Sequence, residues 1–253
     1  RFRWIKSGLA FISFHCIGSR LSRCAALGTM TRRETKIMSA NITANPLETG
    51  ADEIERYALE ECVKRHRFDQ RVSVLIISDK RCEMAIKFAR LGAQVVVADK
   101  SDVQQDIEGR ILAAGLREEI RFTGSTLADI PESFQGEPFD IIVIRRGLCA
   151  MPYEEARRVV RQLLLKLKIG GKLYLSVLGL HSELSEGYAA AESVINERFG
   201  ELAPALAEKY GIRQPVCLYT ERNLFMLLLE AGASVLRTLT TTYGNVKGVA
   251  VRV

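Results

Sequence analysis

Val72-Ser73-Val74-Leu75-Ile76-Ile77 leads straight into Ser78-Asp79-Lys80-Arg81-Cys82. A short, nearly unbroken apolar run closed by polar residues reads as a strand buried on both faces of a parallel sheet, because a half-solvated strand alternates instead. Outward from this run the chain trades helix for strand. A helix is expected over 84–91, a strand over 94–98, a helix over 103–114 and strands over 120–123 and 141–144. A helix over 154–167 then leads through Gly170-Gly171, read as a tight turn, to a strand over 172–178. After a long insertion come a helix over 221–231 and two strands over 234–241 and 246–253. Such a βαβ series closes as a doubly wound α/β sheet. Upstream, Thr49 to Glu53 supply cap and acids for a leader helix that runs to about residue 67, with Ile54, Tyr57, Ala58 and Cys62 on one face.

The 253 residues are 47% hydrophobic and 26% charged, the profile of one ordinary α/β domain with an extension. The net charge of +6 suggests a nucleic-acid surface until it is located. Arg1, Arg3, Lys6, Arg20, Arg23, Arg32, Arg33 and Lys36 stand against Glu34 alone, and setting these aside leaves 28 basic against 29 acidic residues. The body is therefore near neutral, with no argument for nucleic acid. Residues 1–37 are read as a basic tail, disordered or foreign to the native protein, and 38–253 as the folded domain. Apolar residues 8–18 are too few to span a bilayer, so no membrane is expected. The six cysteines form no C-x-x-C pair and do not match the spacing of His15, His66 and His181, so no metal is expected. Single cysteines in apolar runs suit a reducing, cytoplasmic setting.

In an open α/β sheet, ligands bind at the carboxyl ends of the strands, here the loops after Ile77, Ala98, Thr123, Ile144 and Leu178. Asp99 ends the second strand, where an acid can accept the ribose hydroxyl hydrogens of a nucleotide-like cofactor. Three further segments carry a resemblance. Phe139-Asp140-Ile141-Ile142-Val143-Ile144 is followed by Leu148-Cys149-Ala150-Met151-Pro152; Leu167-Lys168-Ile169-Gly170-Gly171-Lys172-Leu173 precedes the fifth strand; and Glu230-Ala231-Gly232-Ala233 leads to two strands meeting near Tyr243-Gly244-Asn245. In this order they resemble the class I (Rossmann-like) S-adenosylmethionine-dependent methyltransferase family over roughly residues 72–253. The resemblance implies a seven-stranded, mostly parallel sheet with a reversed strand in a C-terminal hairpin. It also implies S-adenosylmethionine as cofactor and methyl transfer to a small-molecule acceptor. The chain departs from the family in its first loop, where Ser78, Lys80 and Cys82 stand at the glycine positions, and at Gly124-Ser125-Thr126, where relatives often carry Gly-Asp.

Expected cofactor contacts are Ser78, Asp79, Lys80, Asp99, Lys100, Ser125, Thr126 and Asp129, with Arg145 for a carboxylate. Ser78 and Asp79 equally suit helix capping, Lys80 a solvated loop charge, and Arg145 and Arg146 salt bridges to nearby acids. Arg146, Glu183 and Tyr188 are the expected acceptor contacts and His181 the candidate general base. A helical insertion at about 180–215 has the length of a lid. The alternative function is a catalytically inactive domain of the same fold that binds a ligand for regulation. A nicotinamide-dependent oxidoreductase fits least, since it needs the glycine turn most. Oligomeric state stays open.

Overall fold

The computed structural model describes residues 52–67, 71–127, 129, 136 and 138–253. The tail expected over 1–37 lies outside them, as do Thr49, Gly50 and Ala51. Helix α1 is Glu53–His66, followed by β1 Ser73–Ile77, α2 Glu83–Arg90, β2 Gln94–Asp99, α3 Gln104–Ala114, β3 Ile120–Gly124 and β4 Phe139–Arg145. Then come α4 Tyr153–Leu165, β5 Leu167–Val177, α5 Pro204–Tyr210, α6 Glu221–Glu230, β6 Ser234–Thr240 and β7 Val246–Val251. The sheet has seven strands in the order β3-β2-β1-β4-β5-β7-β6. Only β7 runs against the others, antiparallel to both β5 and β6.

Strand alternation divides the core in two. Leu75, Ile77, Val96, Ala98, Ile142 and Ile144 pack with α4 and α6 on one face of the sheet. Val74, Ile76, Val95, Val97, Ile141 and Val143 pack with α1, α2 and α3 on the other. A strand filled on both faces takes mostly apolar side chains, and this is why Val72–Ile77, with Ser73 as its one polar residue, reads as it does. Each fully buried Leu or Ile contributes about 1.5–3 kcal/mol.

Helix α1 spans its face from one edge of the sheet to the other and is held at both ends by charge. Asp52 caps it, accepting from the Glu55 N–H at 2.9 Å. At this end Arg145, the last residue of β4, meets Glu55 at 2.9 Å and Asp52 at 3.7 Å. Lys247 of β7, only 1% exposed, meets Glu53 at 2.7 Å and Asp52 at 3.3 Å. At the other end Lys172 reaches Glu61 at 2.6 Å, and Arg65 bridges Glu61 at 2.9 Å and Asp140 at 3.2 Å. Burial alone would raise the Glu61 pKa, but the hydrogen bonds from Lys172 and Arg65 outweigh it and hold the carboxyl below its ordinary range.

Two expectations change. The Gly170-Gly171 pair is the bulged entry of β5 rather than a free turn: β5 begins at Leu167, the Gly170 N–H donates to the Arg252 carbonyl at 2.8 Å, and Arg252 returns the bond to Gly171 at 3.0 Å. A Cβ on Gly171 would sit 2.8 Å from the Lys168 carbonyl, which accounts for glycine there. The segment after β5 is less helical than expected, with two 3-10 turns, Glu183–Ser185 and Ile195–Glu197, and the seven-residue α5. Tertiary bonds take the place of helix: buried Arg198 donates to the Ser193 carbonyl (2.7 Å) and Asn223 Oδ1 (3.0 Å), and the Tyr188 hydroxyl donates to the Val216 carbonyl (2.7 Å).

Candidate functional site

The turn after β1 has left-handed backbone at two of the three positions where glycine is expected, Ser78 and Cys82. Ser78 has φ +65° and Cys82 φ +56°, both in the left-handed region, and the Cys82 N–H closes a turn onto the Asp79 carbonyl at 2.8 Å. Each such residue costs roughly 1–2 kcal/mol relative to right-handed backbone. The Ser78 N–H donates to the Ala98 carbonyl at 3.0 Å, which ties this turn to the end of β2. Asp79 turns its carboxylate to the start of α2, where Oδ2 accepts from the Ala85 N–H at 3.0 Å. Burial raises its pKa, working against that bond and against Arg145. Cys82 packs into the α1–α2 core rather than across the sheet edge, and burial pushes its thiol to about 12, so it is no nucleophile. Lys80 is exposed.

Asp99 is 7% exposed at the end of β2. Its Oδ1 accepts from the Lys100 N–H at 2.8 Å, while Oδ2 is enclosed with no hydrogen-bond partner among the described residues. An unsatisfied buried acceptor costs about 1–3 kcal/mol, more when charged, so this oxygen fits a ligand hydroxyl. Beside it the Ser125 N–H donates to the Asp99 carbonyl at 3.0 Å, and the Thr126 hydroxyl donates to Asp129. The parallel pairing of β1, β2 and β3 thus gathers Ser78, Asp79, Lys80, Asp99, Lys100, Ser125, Thr126 and Asp129 along one stretch of the carboxyl edge.

The remaining expected residues are dispersed. Arg145 is held by Glu55 and Asp52 of α1, the salt-bridge arrangement. Arg146 follows it with φ +59°, and its N–H donates to the Ser176 carbonyl at 2.8 Å. His181 is exposed on the loop after β5. Glu183 accepts from Lys209 and Tyr210 within the insertion, and these bonds, Lys209 first, lower its pKa. Tyr188 is buried, with its hydroxyl engaged on backbone carbonyls. The cluster of Asp52, Glu53, Glu55 and Lys247 at the carboxyl edge was not foreseen; a lysine inside the apolar run Val246–Val251 is the signal that points to it. Among the described residues no group of three or more His, Cys, Asp or Glu could hold a metal ion.

No family model matches the chain, and no curated protein does. Solved structures do. An O-methyltransferase family protein from Burkholderia thailandensis is 14% identical with TM-score 0.54, over 79% of this chain and 56% of that one. An S-adenosylmethionine-dependent methyltransferase from Clostridium acetobutylicum is 10% identical with TM-score 0.58, over 79% and 92%. One from Methanosarcina mazei is 22% identical with TM-score 0.57, over 74% and 96%. The chain thus spans little more than half the length of the Burkholderia protein. It has the Rossmann-like fold of the class I methyltransferases.

Proposed function

We propose that this chain transfers a methyl group from S-adenosylmethionine to a small-molecule acceptor, in the cytoplasm. One observation carries the reading: Oδ2 of Asp99, without a hydrogen-bond partner among the described residues, is enclosed at the end of β2 beside a turn with left-handed backbone at Ser78 and Cys82. The neighbours of like fold named as methyltransferases support it. So do the four described cysteines, all free and buried, which suit a reducing compartment.

S-adenosylmethionine, when bound, would supply a methyl group from its positively charged sulfur to a nucleophile, the S–CH3 bond breaking and S-adenosylhomocysteine leaving. The chain's own work is to hold and to exclude. Asp99 would accept from the ribose hydroxyls, and Ser125 and Thr126, the latter braced by Asp129, would flank the base. Placing the acceptor in line within a dry site supplies most of the acceleration, so little side-chain catalysis is needed. A general base enters only where the acceptor must lose a proton, and His181 on the loop after β5 is the group we assign to it.

A second reading, an inactive ligand-binding domain, is favoured by the side chains at positions 78, 80 and 82. Titration calorimetry with S-adenosylmethionine and S-adenosylhomocysteine separates the two. Methyl transfer predicts micromolar binding that weakens about 10- to 100-fold in Asp99→Ala, the loss of a hydrogen bond to a charged group. Absence of binding by either compound contradicts it.

A further inference from the structure

The adenosine site just described has an unusual approach to the 5′ end of its ligand. In a glycine loop, backbone N–H groups and the following helix terminus receive the ligand's anionic arm. Here Ser78 and Lys80 carry side chains at that approach, and the Asp79 carboxylate already takes the Ala85 N–H of α2. A second anion at this helix terminus would meet Asp79 rather than free N–H groups. What the two loops offer instead is side-chain cations. Lys80 follows β1, Lys100 follows Asp99 directly, and both are exposed, with no side-chain partner among the described residues. Arg81 lies 3.9 Å from Glu83 and is 69% exposed. Asp102 is two residues beyond Lys100, in the 3-10 turn that leads into α3.

From this we infer that the site takes adenosine ligands with an anionic 5′ arm, the class of adenosine 5′-phosphates, with ribose on Asp99 and phosphate between Lys80 and Lys100. The inference rests on the reading of Asp99 as a ribose anchor. Its chemistry is ordinary: a flexible ammonium reaches a phosphate that backbone cannot approach, and the charge-assisted bond exceeds a neutral one about twofold in strength. S-adenosylmethionine carries one more positive than negative charge, so the same lysines favour a nucleotide over it. Such a nucleotide competes with the methyl donor for one site, which makes adenine nucleotides candidate inhibitors of the proposed reaction.

The test is calorimetry on the full chain with adenosine, adenosine 5′-monophosphate, inorganic phosphate and S-adenosylhomocysteine, repeated with the double variant Lys80→Ala, Lys100→Ala. Both lysines are surface residues, so the variant is expected to fold, and its circular dichroism checks this. The inference predicts that the monophosphate binds at least about tenfold tighter than adenosine and displaces S-adenosylhomocysteine. It also predicts that the double variant reduces the preference to about threefold or less. A preference that survives the double variant overturns the inference, as does inorganic phosphate binding as tightly as the nucleotide. Binding of S-adenosylhomocysteine without the monophosphate overturns this inference and leaves the methyltransferase reading intact, whereas no binding by any adenosine compound overturns both.

Discussion

At the scale of the residue, the chain holds glycine geometry with residues that are not glycine. Ser78 at φ +65° is exposed, so replacing it removes little packing. Ser78→Gly exchanges a left-handed strain of about 1–2 kcal/mol for a chain-entropy cost of about 0.5–1 kcal/mol. The expected outcome is a stability unchanged or raised by up to about 1.5 kcal/mol in urea denaturation, with tighter S-adenosylhomocysteine binding; a loss of more than about 1 kcal/mol would contradict the turn as described. Asp79 gives a pH signature. Its pKa is raised in the folded state, so ionisation opposes folding and wild-type stability falls as pH rises from about 3.9, the ordinary aspartate value, through the raised one. Asp79→Asn keeps an acceptor for the Ala85 N–H and escapes this cost, so its melting temperature should exceed wild type at neutral pH and converge with it in acid. A gap that stays constant across pH would rule out burial of the carboxyl as its cause. Of the site, Asp99 was legible because a strand end fixes its position. The capping role of Asp79 was only an alternative in the sequence, and left-handed backbone at Ser78 was not legible there, since a turn's dihedrals depend on the strand and helix it joins.

At the scale of the element, α1 shows how charge positions a helix over a finished sheet. Lys247 is enclosed and answers Asp52 and Glu53, so removing it takes the cation from Glu53 and leaves Asp52 with the more distant Arg145. A fully enclosed pair broken on one side costs 3–5 kcal/mol, but Glu53 is half exposed, so Lys247→Met is expected to cost about 2 kcal/mol in urea denaturation, with fraying of α1 seen by hydrogen exchange. Unchanged exchange in residues 53–58 would show that α1 is held by its apolar face alone. Periodicity placed α1 within a residue or two of its bounds, yet the acids Glu55 and Glu61 on its buried side were not legible, because partners distant in sequence come from α2 (Lys87), β4 (Arg145) and β5 (Lys172). The insertion after β5 misled for the same reason. Residues 180–215 have helical composition, but Arg198 reaches Asn223 and Tyr188 reaches the Val216 carbonyl, and such bonds between distant residues leave no periodic trace.

At the scale of the whole molecule, strand order follows from alternation and short right-handed connections, while the reversed β7 came only with the family resemblance. The hairpin that carries it does more than close the sheet. Its turn packs on the loop after β5, where Asn245 Oδ1 accepts from the Gly179 N–H at 3.3 Å and a Cβ on Gly179 would overlap the Gly244 carbonyl. The carboxyl edge is thus braced from β7 to β3, and the adenosyl site we propose is at its β1–β2–β3 end. A crystal structure of the chain with S-adenosylhomocysteine tests this account most directly. It predicts a ribose hydroxyl about 2.5–3.0 Å from Asp99 Oδ2, with Ser78 and Cys82 still at positive φ. Ribose bound elsewhere, or a turn at Ser78 that must rearrange to admit it, would contradict the claim that this glycine-free edge is built for an adenosyl ligand.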